Sequence, residues 1–219
     1  MERDPLVWPP MSPRGPYAKG VAKRDEILRV ALEVIARNGC RKASNREIAR
    51  RVGLTPPGLM HYFGSREELY EAVLRARDEH DLAAYYSPDP SFAGFVAVIA
   101  HNTEVPGLVR LYVEYSAEAS IPSHPSYAFF QERYGWLRGL LTEALARAQQ
   151  DGELGPELDR RRSAELLLAA ADGLQYQWML DEQVDMVAHL EGLWQLLRRS
   201  SWGGRDAAEV AVETAESNP

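Results

Sequence analysis

The chain has one cysteine, Cys40, among its 219 residues. A single thiol excludes an internal disulfide and fits a reducing compartment, so we expect a cytoplasmic protein. The longest apolar run, within residues 92–100, is interrupted by Gly94 and is too short to span a bilayer. The first ten residues lack the basic region and apolar core of a secretory signal. We therefore expect no membrane partner.

Motifs for catalysis and for metal binding are also lacking. The sequence has no glycine-rich phosphate loop, no G-x-S-x-G motif and no H-E-x-x-H motif. The five histidines are scattered, without the spacing of metal ligands. The polar cluster Glu79-His80-Asp81 lies on a predicted helix, where such a group more often forms a solvated face. These absences favour a protein that is not an enzyme and that carries no metal or cofactor.

What the chain does contain is a run of helix start and stop signals after residue 43. Ser44 followed by Glu47 is a capping box, which predicts the start of a short helix. Gly53 predicts its end, because glycine accepts the left-handed backbone found just past a helix C-terminus. Thr55 followed by Pro56 predicts the next helix, since proline at the first helical position sacrifices no hydrogen bond. The signals therefore predict two short helices joined by a glycine turn.

This arrangement is a helix-turn-helix, whose second helix enters the major groove of DNA. Leu59 and Phe63 are four residues apart, so they anchor that second helix to the core. Ser65 followed by Glu68 repeats the capping box and predicts a longer third helix. The pattern as a whole indicates a DNA-binding head that continues into a linking helix.

The remaining side chains of the head are the candidate DNA contacts. Met60 is suited to packing on thymine methyl groups, and His61 to donating a hydrogen bond to a purine or a phosphate. The residues from Ser44 onward begin a helix whose N-terminal amides attract phosphate. The alternative for Met60 and Tyr62 is a place in the core. The predicted contact set is Ser44, Asn45, Arg46, Thr55, Pro56, Pro57, Gly58, Met60, His61, Tyr62 and Arg66.

Charge is distributed unevenly along the chain. Residues 1–64 contain 12 Lys and Arg against 6 Asp and Glu, a net charge of +6. Residues 65–219 contain the other 13 Lys and Arg against 26 Asp and Glu, a net charge of −13. A basic head on an acidic body suits a protein that touches a polyanion with one end. The acidic body favours a neutral or cationic ligand over an anion.

Residues from about Asp25 to Leu74 resemble the head of the tetracycline-repressor (TetR) family of transcriptional regulators. That family has a capped Ile-Ala helix, a glycine turn, a recognition helix ending on aromatic residues and Phe, and then Ser-Lys-x-x-Leu. Here Met60 stands where the family has a DNA-contacting Tyr, and Arg66 where it has Lys, which keeps the charge. The resemblance implies a phosphate contact for Tyr62. It also implies a homodimeric repressor that a small molecule releases from a palindromic operator in double-stranded DNA.

The rest of the sequence reads as helices only, because no stretch alternates as a half-buried strand does. We predict an all-α fold of about nine helices, with a three-helix helix-turn-helix head and a helical-bundle body for ligand binding and dimerisation. The predicted domains are a flexible arm (1–20), the head (21–66), the body (67–200) and an acidic tail (201–219) that is disordered or loosely helical. The predicted helices outside residues 44–64 are 21–38, 65–85, 91–101, 107–119, 125–150, 159–181 and 185–200. Either Met1 or Met11 is a possible biological start.

Two sets of residues are predicted to serve the body. Tyr115, Tyr134 and Trp178 are large aromatics with polar tips on three helices, which suits a ligand pocket; the alternative is that they are core. A second set forms apolar faces on the last two helices, which a two-fold dimer would bury in a four-helix bundle; the alternative is packing within the chain. This dimer set is Leu166, Ala170, Gly173, Met186, Leu190, Leu193, Trp194 and Leu197.

Two other functions remain open at this point. An all-helical enzyme or small-molecule carrier that retains the head would show turnover or ligand binding without affinity for DNA. An architectural DNA-binding protein without an inducer would have no cavity in its body. The operator, the ligand and the sign of regulation do not follow from the sequence.

Overall fold

The computed structural model describes residues 16–216, in which there are nine α-helices and no strand. This confirms the predicted all-α class. The order along the chain is α1 (Pro16–Asn38), α2 (Asn45–Arg51), α3 (Pro56–Phe63), α4 (Arg66–Tyr85), α5 (Phe92–Glu104), α6 (Pro106–Glu118), α7 (Tyr127–Gln150), α8 (Arg160–Leu180) and α9 (Met186–Glu216).

The two ends of the helical region differ from the prediction. α1 begins at Pro16 rather than at residue 21, and proline is tolerated at a helix start. α9 runs on to Glu216, so residues 201–216 are helical. Alanine and glutamate favour the helix there, which offsets the cost of about 1 kcal/mol for each of Gly203 and Gly204. The rest of the predicted arm (1–15) and of the tail (217–219) lies outside the described residues.

The helices form two compact units. Unit 1 contains the described part of Met1–Ser87 together with Ala100–Tyr134, and unit 2 contains Pro88–Ile99 and the described part of Gly135–Pro219. α5 and α7 each contribute residues to both units. The functional division into a head ending at residue 66 and a body remains a prediction.

Unit 1 is built around one apolar core that contains the helix-turn-helix. Ile27, Ile48, Leu59 and Leu69, one from each of the first four helices, are fully buried. α1 packs along α6, where Gly107 comes very close to the α1 backbone. The head is therefore held by α1, α4 and α6 together.

Unit 2 is organised by the packing of α8 against α9. Leu167 and Leu190 are fully buried, and Trp194 stacks on Phe92 with ring centroids 4.2 Å apart and planes 6° apart. Within the described range, no single helix is long and apolar enough to cross a bilayer. Only α5 and α6, taken together as a bent pair, reach that length and composition.

Candidate nucleic-acid interface

The predicted caps form the helix-turn-helix. Ser44 Oγ accepts a hydrogen bond from the Glu47 amide at 3.4 Å, and Thr55 Oγ1 accepts one from the Gly58 amide at 3.1 Å. Gly53 has φ +68°, as the turn between the helices requires. The first capping box differs in one respect, because the Glu47 carboxylate accepts from Asn38 Nδ2 at 3.1 Å. That bond ties α2 to the end of α1.

The recognition helix α3 has a buried side and an exposed side. Leu59 and Phe63 are at most 2% exposed, which confirms their predicted role as anchors. Pro56, Pro57 and His61 are exposed on the other side. This exposed side is the one that the sequence predicts to face DNA.

Two of the residues predicted to contact DNA are partly buried. Met60 and Tyr62 are half-buried and pack against the core, so the core alternative holds in part. Asn45 Nδ2 lies 3.6 Å from Met60 Sδ, and Asn45 Oδ1 is inaccessible to solvent. The Asn45 amide therefore joins α2 to α3, and this orientation does not support its predicted role in DNA contact.

Some of the arginine and lysine side chains of α2 and of the turn before it form ion pairs, and others do not. Arg51 pairs with Glu33, which also pairs with Arg29 at 2.7 Å. Arg46 and Arg50 are exposed and make no ion pair with any described residue. Lys42 is exposed in the same way. The predicted contact set does not include Lys42 and Arg50, although the spacing of four residues from Arg46 to Arg50 places both arginines on one helix face.

Two arginines have structural contacts within the head. Arg24 donates to the Tyr62 carbonyl at 3.1 Å, with its guanidinium 4.4 Å from the centre of the Phe63 ring. This puts a cation at the negative C-terminus of α3. Arg66 donates to the Cys40 carbonyl and lies 5.0 Å from the centre of the Tyr70 ring. Because its guanidinium is engaged in this way, the placement of Arg66 does not support the predicted phosphate contact.

The three predicted pocket residues lie in different surroundings. Tyr115 is 2% exposed, shares a hydrogen bond with the Ser126 hydroxyl and contacts the Tyr70 ring edge-on at 5.3 Å. Tyr134 accepts a hydrogen bond from the Tyr112 hydroxyl at 2.7 Å. Trp178 is buried in unit 2. The polar tips of both tyrosines already have partners inside unit 1, and a pocket lined by all three residues remains a prediction.

A buried polar cluster on α4 was missed. Arg77 and Asp81 are 5% and 6% exposed, with Arg77 Nη2 3.0 Å from Asp81 Oδ1, so the prediction of a solvated face is wrong for Asp81. Burial raises the pKa of Asp81 to about 7, although Arg77 opposes the shift. His101 lies beside this cluster, with its ring centre 6.0 Å from that of His80. The spacing of Arg77 and Asp81, four residues apart on one helix, was the available signal.

The residues of the predicted dimer set differ in how far they are exposed. Met186, Leu190 and Trp194 are at most 6% exposed inside unit 2, so they belong to its core and not to a free surface. They face inward because the apolar stripe of α9 packs within the unit. Leu193, Leu197 and Ala170 are half-buried, whereas Leu166 and Gly173 are exposed. The exposed face continues at Tyr176 and Leu180 of α8 and at Leu196 of α9.

Two short capped helices joined at a glycine turn, with free arginines on the first, define a helix-turn-helix DNA-binding protein. Residues 27–73 match the family model for bacterial regulatory proteins of the tetR family. This match supports the assignment of the helix-turn-helix segment to the TetR family of transcriptional regulators.

Known proteins resemble the chain beyond the head. The transcriptional regulator UidR of Escherichia coli K12 is 26% identical over 179 residues, which cover 80% of this chain and 89% of UidR. The transcriptional repressor KstR2 of Mycobacterium tuberculosis H37Rv is 26% identical over 151 residues, covering 63% and 72%. FadR of Bacillus subtilis, solved in complex with stearoyl-CoA, is similar in fold, with a TM-score of 0.63 at 20% identity, covering 78% of this chain and 96% of FadR.

Proposed function

We propose that the protein is a cytoplasmic repressor that binds a palindromic operator as a homodimer and leaves it when a small molecule binds. The observation that carries the proposal is the helix-turn-helix, in which Arg46 and Arg50 are exposed and form no ion pair with the part of the chain that the structure describes. Phosphate contacts from such residues supply affinity, while the exposed face of α3 supplies sequence preference. The name of KstR2 as a repressor supports the sign of regulation.

The DNA-binding step is tested by selecting a preferred site from random duplex DNA with the full chain. Fluorescence anisotropy then measures affinity for that site over a salt series. Each of Arg46→Ala and Arg50→Ala should lower the magnitude of the log–log salt slope by about 1.8, because the homodimer loses one phosphate contact in each of its two subunits. Arg161→Ala, an exposed arginine of α8, is the matched control and should leave the slope unchanged. A wild-type protein that selects no sequence contradicts the proposal.

The dimer is proposed to form through the exposed face of α8 and α9. Four of the five large apolar side chains that are exposed in the described part of the chain lie on these helices: Leu166, Tyr176, Leu180 and Leu196. Apolar patches of this kind on a folded protein mark interaction sites. A two-fold axis that brings the two helices against their copies would bury them in a four-helix bundle.

The dimer test uses exposed positions, so that the fold survives. Leu180→Asp together with Leu196→Asp should give a helical monomer by sedimentation, and the monomer should bind the operator weakly because it reaches one half-site. Leu190→Asp is the contrasting variant. Leu190 is fully buried, so this change should unfold unit 2 rather than only separate the subunits. A stable dimer of the double variant would place the interface elsewhere.

The effector is proposed to meet the polar groups beside α4 rather than Tyr115. Arg77 Nε and His101 Nε2 are buried atoms that have no hydrogen-bond partner among the described residues. His101 Nδ1 lies 2.8 Å from the Glu104 carboxylate, and burial lowers the pKa of His101, so the neutral ring donates through Nδ1. His101 Nε2 is therefore an acceptor. An effector that donates to His101 Nε2 and accepts from Arg77 Nε would satisfy both atoms.

A thermal-shift screen of small molecules tests the effector proposal, followed by operator release with each hit. A true effector raises the melting temperature by mass action and lowers operator affinity through the same coupling. His101→Phe should abolish both effects, whereas His189→Phe, an exposed histidine of α9, should abolish neither. Hits that stabilise the protein and leave DNA affinity unchanged would favour a carrier instead.

A further inference from the structure

The backbone of Cys40 is hydrogen-bonded at both its N–H and its carbonyl group. Its N–H donates to Glu114 Oε2 of α6 at 2.7 Å. Its carbonyl accepts from the Tyr70 hydroxyl of α4 at 3.0 Å and from the Arg66 guanidinium. All of these residues belong to unit 1. One residue of the turn between α1 and α2 therefore joins α4 to α6.

The position of this turn fixes the first turn of α2. Gly39 ends α1 with φ +75°, and the Ala43 amide donates to the Gly39 carbonyl at 3.0 Å, so the segment between the two helices is a closed turn. Cys40 is fully buried and Ala43 is 5% exposed, which leaves the turn little freedom to move by itself. The cap Ser44 and then Arg46 follow directly. A shift of the Cys40 backbone would therefore also move α2, the helix that carries Arg46 and Arg50.

α6 is placed to control that peptide. The Glu114 carboxylate packs over Gly39, where a Cβ would lie 3.2 and 3.3 Å from its two oxygens. Its other oxygen, Oε1, lies 3.8 Å from Arg110 Nε on the same helix. One turn later, Glu118 pairs with Arg41 at 2.7 Å, but the Arg41 side chain is 82% exposed, so water weakens that pair. Glu114 is the better-placed link because it bonds the backbone itself.

We propose that Glu114 is the positioning residue through which α6 sets the orientation of the helix-turn-helix. While Glu114 holds the Cys40 amide, the first turn of α2 stays aligned for operator binding. A displacement of α6 that breaks this bond releases the turn and lowers operator affinity. This inference rests on the proposed function as a DNA-binding regulator.

The test compares Glu114→Ala with Glu114→Gln and with the control Glu118→Ala. Operator affinity and affinity for non-specific duplex are measured at the same salt, because loss of a negative charge by itself strengthens binding to any DNA. Glu114→Ala should weaken operator binding about tenfold, the scale of one hydrogen bond to a charged group, without weakening non-specific binding. Glu114→Gln keeps an acceptor and should recover most of the affinity. Glu118→Ala should remain close to the wild type.

Hydrogen exchange at the Cys40 amide gives a second readout. Exchange should be fast in Glu114→Ala and slow in the wild type and in Glu114→Gln. If Glu114→Ala does not fold, Glu114→Asp replaces it, since that change keeps the charge but shortens the side chain by one methylene and so breaks the bond to the Cys40 amide. The same selective loss of operator affinity is then expected.

The outcomes separate this inference from the proposed function. A wild-type protein that binds no DNA overturns the proposed function. A wild-type protein that binds its operator, together with a folded Glu114→Ala or Glu114→Asp variant that binds it equally well, overturns the positioning role alone. A parallel loss of operator and non-specific affinity also overturns it, because general damage to the fold would then suffice.

Discussion

The contact between α1 and α6 leads to a prediction about Gly107. A Cβ at this residue would lie 2.6 Å from the Leu32 carbonyl oxygen and 2.7 Å from Ala36 Cβ. Neither neighbour is the end of a flexible side chain, so neither can move aside by changing rotamer. Gly107→Ala should therefore push α6 away from α1.

The magnitude follows from the distances. Carbon atoms pack best at about 3.5–4.0 Å, so the helices must separate by about 1 Å to accept the methyl group. Overpacking of this kind costs about 1–3 kcal/mol. In a chain of this size each kcal/mol lowers the melting temperature by about 2–4 °C, which gives an expected fall of about 2–12 °C.

Thermal unfolding followed by circular dichroism measures this fall. The matched control is Gly139→Ala in α7, where a Cβ would meet nothing within 4 Å. Alanine has the higher helix propensity there, so the control should gain up to about 1 kcal/mol and melt at a higher temperature. The two substitutions are chemically identical and should act with opposite sign. A Gly107→Ala variant as stable as the wild type would refute the reasoning from close approach.

Three further predictions concern charge and DNA reading. In the unfolded chain Asp81 ionises near its ordinary pKa of 3.8, whereas burial raises its pKa in the folded protein to about 7. Between these two pH values the folded protein binds the proton and the unfolded chain does not. The contribution of Asp81 to the free energy of unfolding therefore falls as the pH rises from about 4 to about 7. The stability of the wild type relative to Asp81→Asn, measured by urea unfolding, should therefore decrease between pH 4 and pH 7, and a flat difference would contradict the buried acid. Arg66→Ala should lower the melting temperature by a few degrees, about the effect of one lost charged hydrogen bond, because the Cys40 carbonyl loses a donor; an unchanged melting temperature would show that the contact is not stabilising. Met60→Ala and His61→Ala should each select a different motif from random DNA, and an unchanged motif in both variants would mean that these residues do not read bases.

The sequence by itself determined the helix-turn-helix. Its signals are local, since each cap joins atoms three residues apart, as between Ser44 and Glu47 or Thr55 and Gly58. Glycine at Gly53 is likewise a property of one backbone position. The all-α class followed for the same reason, because helical periodicity and punctuation by proline and glycine need no knowledge of distant partners.

Only the tertiary structure decided which side chains are available. Arg66 and Arg46 are both arginines near a helix start, yet Arg66 is bound to the carbonyl of a residue 26 positions away and Arg46 is free. Asp81 looked solvated and is buried, and the apolar stripe of α9 containing Leu190 faces the core of unit 2 rather than a partner. Whether a side chain is exposed depends on which helices pack against each other. Packing brings together residues that are far apart along the chain, so no local sequence pattern predicts these contacts.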